Sequence, residues 1–176
     1  MKQFIVMIKN SVNCRKLLKL ALEFNNPKQS NYIIKNHSDA LNAAATIATN
    51  IDIAESLYEI LSNSIEHGNL GIGEALKGTL VQNETLEKEL ATRLSANPDK
   101  EVKILIEDES DNITLVIKDG GQGFDWQSYL NFDHKKLSGF SGRGIYRPSR
   151  NMKLEFIGNG SEVRCTFGRE PHAQKS

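Results

Sequence analysis

Three short strings hold the residues able to do chemistry, and they come in a fixed order. They are Glu59-x-x-x-Asn63-x-x-x-His67-Gly68, then Asp119-Gly120-Gly121-Gln122-Gly123-Phe124, then Gly142-Arg143-Gly144. A divalent cation carried on a triphosphate takes oxygen ligands and keeps several waters. Asn63 offers such an ion (Mg2+) a neutral carbonyl oxygen, which adds no repulsion against the phosphates. Glu59, one helical turn earlier, has the chemistry to orient or deprotonate a water or an incoming hydroxyl near a γ-phosphate. Asp119 ends an apolar strand, where a carboxylate without a partner is costly. As an acceptor it suits the exocyclic amino group of adenine, a donor that guanine lacks at that position. Gly121 and Gly123 permit positive φ and close backbone approach to a flat ring or to phosphate. Gly142 and Gly144 open what reads as a helix, where backbone N–H groups and Arg143 suit an anion.

Each string has a plain structural reading beside the chemical one. Glu59 and Asn63 also fit the solvated face of an amphipathic helix. His67, next to a helix-ending glycine, fits a cap or a pocket wall better than a metal ligand, because no Cys or second His stands at ligand spacing. Asp119-Gly120 also makes a good hairpin turn, and Gly142-Arg143-Gly144 an ordinary glycine loop.

The elements that must position these residues follow from hydrophobic spacing. Tyr32-Ile33-Ile34 reads as a strand, and Ser38 as the N-cap of an alanine-rich helix over 39–49. Asp52 and Glu55 stand in capping-box spacing before a second helix, whose core stripe is Leu57, Ile60, Leu61, Ser64 and Ile65. Glu59, Asn63 and His67 fall four apart on another stripe, and Gly68 reads as the closing C′ residue. In the polar stretch 69–100, Leu86, Leu90 and Leu94 predict one surface helix ending at Asn97-Pro98. Two alternating strands, 102–106 and 113–117, come next, and a hairpin of 154–157 and 163–167 turns at Gly158-Asn159-Gly160. Helices grouped early and hairpins grouped late predict an α+β fold: a two-layer α/β sandwich with a mixed, mostly antiparallel sheet covered by helices on one face.

Residues 1–30 read as a leader, the strand-like FIVMI and a lysine-rich amphipathic stretch. One domain is expected over 31–168 and a disordered tail over 169–176. Between Phe124 and Gly142, the segment 125–141 has the length, glycine and polarity of a lid over a bound ligand, or of a solvated loop. Lys plus Arg and Asp plus Glu both number 22, which argues against nucleic-acid binding through bulk charge. Cys14 and Cys165 lack metal-like spacing and fit free thiols. FIVMI is too short for a membrane span or a signal-peptide core, so a cytoplasmic protein is expected.

The three strings in this order resemble the ATP-binding domain shared by histidine kinases, gyrase B and the mismatch-repair protein MutL. The string ESLYEILSNSIEHGNLGIG is similar to the N box of that superfamily (GHKL), DGGQGFDW to its G1 box and SGRGIY to its G2 box. Within it, the chain is most similar to the compact anti-sigma-factor serine/threonine kinases. The resemblance spans about residues 31–167. It implies a Bergerat fold binding ATP and Mg2+, with Glu59 as general base, Asn63 as magnesium ligand and Asp119 as the acid that reads adenine. Gly121 and Gly123 would lie at the hinge of the lid, and Gly142, Arg143 and Gly144 at the phosphates. It also implies protein partners, an antagonist domain and a sigma factor, and a possible homodimer. Two positions depart from the pattern: Gly120 stands where the family has Asn, and Arg147-Pro148-Ser149-Arg150 replaces the usual apolar helix, which must be shortened or broken. The expected activity is phosphorylation of a protein serine or threonine in bacterial signal transduction. A nucleotide-binding partner switch without catalysis, or an ATPase, is the alternative.

Overall fold

The computed structural model describes residues 30–109, 111–127 and 143–169, with Asp108 and Arg143 by their backbone alone. The leader with Cys14, most of the proposed lid, Gly142 and nearly all of the tail lie outside the described residues.

β1 (Asn31–Ile34) opens the fold, followed by α1 (His37–Ile47) and α2 (Ile51–Asn63). At its end α2 widens into a π-helical turn over Ser64–Asn69. α3 (Glu74–Gln82) and α4 (Leu86–Ala96) lead to β2 (Val102–Asp108) and β3 (Asn112–Lys118). The short α5 (Arg143–Ser149) precedes β4 (Lys153–Ile157) and β5 (Glu162–Gly168).

Several starts and stops differ from the sequence expectation. Asn36, not Ser38, caps α1: its side chain accepts the N–H groups of Ser38 at 2.9 Å and Asp39 at 3.0 Å. Asn50 caps α2 in the same way through Asp52 and Ile53, which puts Asp52 inside the first turn and leaves no capping box at Asp52 and Glu55. Asparagine ranks level with serine and aspartate as a cap, and both asparagines are extended, as a cap must be. Gly68 does not close α2 but lies within the π-turn, and the positive φ of 62° falls on Gly71. The segment 69–100 holds two helices rather than one. α3 was hidden in the sequence because it buries no residue and carries Gly78 in its middle.

The sheet order is β1-β2-β3-β5-β4, and every pairing among the described residues is antiparallel. This corrects the mixed sheet: two hairpins, β2–β3 and β4–β5, meet along β3 and β5, and strand direction alternates throughout. Ile34, Val102, Ile104, Leu115, Ile117, Val163 and Cys165 face the helices and are buried against Ala44, Leu57, Leu61 and Ile65. On the other face no helix among the described residues packs against the sheet. That face shows Ile33 and Leu105 to solvent and carries the Arg164–Glu107 pair at 3.0 Å. The result is two layers, helices on one side of the sheet. Burial pushes the Cys165 thiol up to about 12. Among the described residues no helix is long and apolar enough to cross a membrane.

The π-turn places Glu66 inside the fold, only 6% exposed. A buried carboxylate needs partners, and two other elements supply them. His37 Nε2, at the start of α1, stands 2.8 Å from Oε1, and Lys77 Nζ, on α3, stands 2.5 Å from Oε2. The Lys77 contact is an ion pair without hydrogen-bond geometry at Oε2. Burial alone would raise the Glu66 carboxyl, but the His37 hydrogen bond and the Lys77 charge outweigh it and bring the value down to about 2 from an ordinary 4.5. Since the folded value lies below the unfolded one, this stabilisation is complete above pH 4.5 and is lost as pH falls towards about 2. Glu66→Gln should therefore be less stable than wild type at neutral pH by on the order of 3 kcal/mol in urea unfolding. The gap should narrow once the pH drops below that upper limit. A gap of constant size across the acid range would show that the Glu66 charge is not what holds the turn.

Candidate functional site

α2 and its π-turn form the spine of the site. Leu57, Ile60, Leu61 and Ile65 bury the core stripe, which leaves Glu59 and Asn63 half-buried on an adjacent face. That face is not solvated. α5 lies along it in the opposite direction, with contacts at three levels. Gly144 O accepts from Asn63 Nδ2 at 3.4 Å. Arg147 stands near enough to Glu59 for its charge to act on the carboxyl. Beyond the end of α5, Asn151 Nδ2 donates to Ser56 Oγ at 2.9 Å and to Asp52 O at 3.4 Å.

Proline explains the length of α5. Pro148 is fully buried within it, and the helix stops one residue later, where the N–H groups of Asn151 and Met152 close on the Pro148 carbonyl. The shortened helix expected after the third string is thus present. Gly144 is required at the contact, since a methyl group there would stand 2.7 Å from Asn63 Nδ2. Gly142 and the Arg143 side chain lie outside the described residues.

The second string meets the same spine one turn further on. Asp119 follows β3, and its N–H donates to Ser161 O at 3.0 Å. Its carboxyl lies directly against the Cα of Gly68, where an added Cβ would come within 2.6 Å of both oxygens. Oδ1 accepts the Gly121 N–H at 2.8 Å. Gly121 is itself pressed on the Gly68 backbone, and a methyl group there would stand 2.6 Å from the Gly68 carbonyl oxygen. The Gly68 position read as a helix stop therefore serves a different purpose: only a residue without a side chain lets Asp119 come this close.

Two residues that the motifs did not single out complete this end. Asn69, 3% exposed, accepts the Gly120 N–H on Oδ1 at 2.7 Å and the Lys100 ammonium on its main-chain oxygen at 2.7 Å. Their only sequence signal is adjacency, Asn69 following His67-Gly68 and Lys100 preceding β2. His67 is exposed on the π-turn, off the Glu59–Asn63 line, because the wider turn breaks the four-residue spacing.

Gly123 goes elsewhere. With φ of 77°, it turns the chain onto the β4–β5 hairpin, where the Phe124 N–H donates to Asn159 O at 2.8 Å and Asn159 Nδ2 to Gln122 O at 3.0 Å. Trp126 Nε1 donates to Gly158 O at 3.1 Å, and Phe124 and Trp126 pack on Phe156. The start of the proposed lid is thus anchored to the hairpin.

The two acids of the site share one electrostatic trait. Burial raises the Glu59 carboxyl, against the lowering charges of Arg147 and Lys77, with Glu55 adding to the rise. Burial likewise raises Asp119, against the Gly121 hydrogen bond and the Lys100 charge. Raised carboxyls beside specific cations in one region are a mark of functional sites. For Mg2+, no group of three or more His, Cys, Asp or Glu stands together among the described residues. Among the described residues Asn63 Oδ1 takes no donor, while Nδ2 donates to Gly144 O. This donor set fits an ion that arrives with phosphate oxygens and water, not one held by a protein cage.

No known family model, curated protein or solved structure matches the chain. The geometry of the contacts therefore carries the functional reading, and those contacts are testable on stability alone. Gly121→Ala must displace backbone and should cost about 1–3 kcal/mol of unfolding free energy. Gly78→Ala, with nothing within 4 Å of the new methyl group, should instead gain about 0.5–1 kcal/mol as a mid-helix alanine. Equal effects of the two substitutions would contradict the close approach at Gly68.

Proposed function

We propose that this chain is a Mg-ATP-binding regulatory protein with a Bergerat-type fold. In this reading it acts as an anti-sigma-factor-type serine/threonine kinase on a protein partner in bacterial signal transduction. The observation that carries the reading is the meeting of the strings on one spine: Gly144 against Asn63 at the end of α2, Asp119 and Gly121 against Gly68 one turn later. Those contacts support a pocket with an acceptor for the base at one end and an oxygen ligand for a phosphate-bound cation at the other.

The residues divide the work as follows. Asp119, held by the Gly121 N–H through Oδ1, offers its other oxygen to the adenine amino group. Asn63 Oδ1 would hold Mg2+, which when bound neutralises charge on the phosphates. Glu59 takes the proton of the incoming serine or threonine hydroxyl, and its raised carboxyl makes it a stronger base than an exposed glutamate. Arg147 keeps that carboxylate compensated between turnovers. The protein partners in this reading are an antagonist domain and a sigma factor, in the cytoplasm, with a second copy of the chain as a further partner. A second reading, a nucleotide-dependent partner switch without phosphoryl transfer, is favoured by the end of α5 at Ser149, one residue after Pro148.

Titration calorimetry with Mg-ATP tests the binding claim. Wild type should bind, and Asp119→Asn should bind at least about tenfold more weakly, since its amide can turn a donor towards the base amine. Glu59→Ala should bind ATP as wild type does and lose phosphoprotein formation on a serine-bearing antagonist. Absence of ATP binding by wild type would sink both readings. Binding without phosphoryl transfer would leave only the switch.

A further inference from the structure

We infer that Asn69 is the positioning residue that fixes the direction of the Asp119 carboxyl, and so sets the preference for adenine over guanine in the site proposed above. The inference rests on the adenine-nucleotide reading of that site. Asn69 ends the π-turn and is almost wholly enclosed. It works in two directions. Its main-chain oxygen is tied to the Lys100 ammonium, next to the start of β2, and its side-chain oxygen holds the Gly120 N–H.

The Gly120 N–H belongs to the peptide group that directly follows Asp119. Two other contacts hold this stretch: the Asp119 N–H on Ser161 O and the Gly121 N–H on Asp119 Oδ1. The second moves with the carboxyl and cannot orient it from outside. Among these contacts, Asn69 alone ties the following peptide to the helical layer. Gly120 has no side chain to limit its backbone, so the Asn69 bond is the directed restraint on this peptide, beside the packing of Gly121 on the Gly68 backbone, and its loss widens the rotation open to the peptide. Rotation would carry the carboxyl off the line to the adenine amine. It would also release a backbone N–H, a donor suited to the carbonyl oxygen that guanine presents where adenine has its amine. Both changes act in the same direction, against ATP and for GTP.

The test compares wild type, Asn69→Ala and Asn69→Asp as full chains, the last keeping an acceptor oxygen at the same place. ATP and GTP affinities are measured by calorimetry with Mg2+, and exchange of the Gly120 amide proton is followed by NMR without nucleotide. Asn69→Ala should lower the ATP-over-GTP preference about tenfold and speed Gly120 exchange by at least about tenfold. Asn69→Asp should restore most of both. An Asn69→Ala protein that is less stable but keeps the wild-type preference would overturn the role and leave Asn69 as scaffold. A wild type that binds neither nucleotide would overturn the adenine reading and the selection role together, while the exchange data would still decide whether Asn69 holds Gly120.

Discussion

A carboxylate is costly to enclose in a protein layer unless hydrogen-bond donors or cations come to it, and Glu66 is enclosed at the widened end of α2. The start of α1 and the middle of α3 answer that demand through His37 and Lys77. One carboxylate thus joins three helical elements, and it does so from within a π-turn, a geometry that is rare in proteins. The turn in turn sets where Gly68 and Asn69 stand, and these two residues receive the loop after β3. The place where the loop after β3 meets the helical layer is therefore next to the place where a buried charge is neutralised.

The site itself is assembled by close approach rather than by a dense hydrogen-bond network. Gly68 admits the Asp119 carboxyl, Gly121 rests on the Gly68 backbone, and Gly144 comes up to the Asn63 amide. At each of these points the missing side chain is the fitting surface. Directed side-chain bonds among the described residues are few: Gly121 on Asp119, Asn69 on Gly120, Asn63 on Gly144 and Asn151 on Ser56 and Asp52. Among the described residues, one oxygen of Asp119 and the side-chain oxygen of Asn63 take no hydrogen bond in this arrangement.

Legibility from the sequence followed the strength of the local signal. The alternating strands around Ile104, Leu115 and Cys165 and the stripe of Leu57, Leu61 and Ile65 were readable because period two and period three-to-four are imposed by burial on one face. The caps were misplaced by two residues because serine, aspartate and asparagine compete for the same role, and tertiary fit chose Asn36 and Asn50. The π-turn left no pattern in the string, and the contacts of its Glu66 are with His37, 29 residues away, and with Lys77 on another helix. Asn69 was invisible for a related reason: its partners, Gly120 and Lys100, are brought to it by the sheet. Asn63 and Gly144, from two of the strings, meet in the structure, as do Gly68, Asp119 and Gly121, whereas the reading of Gly68 as a helix stop missed its close contact with Asp119.

Cys165 sits sealed in β5 between β3 and β4, paired in register with Leu115 and Leu154, and burial keeps its thiol protonated. Alkylating reagents attack the thiolate, so in the closed molecule this sulfur is chemically silent. It speaks only when its burial is lost. Its rate of modification is therefore an internal clock for opening of the core between the sheet and the helices.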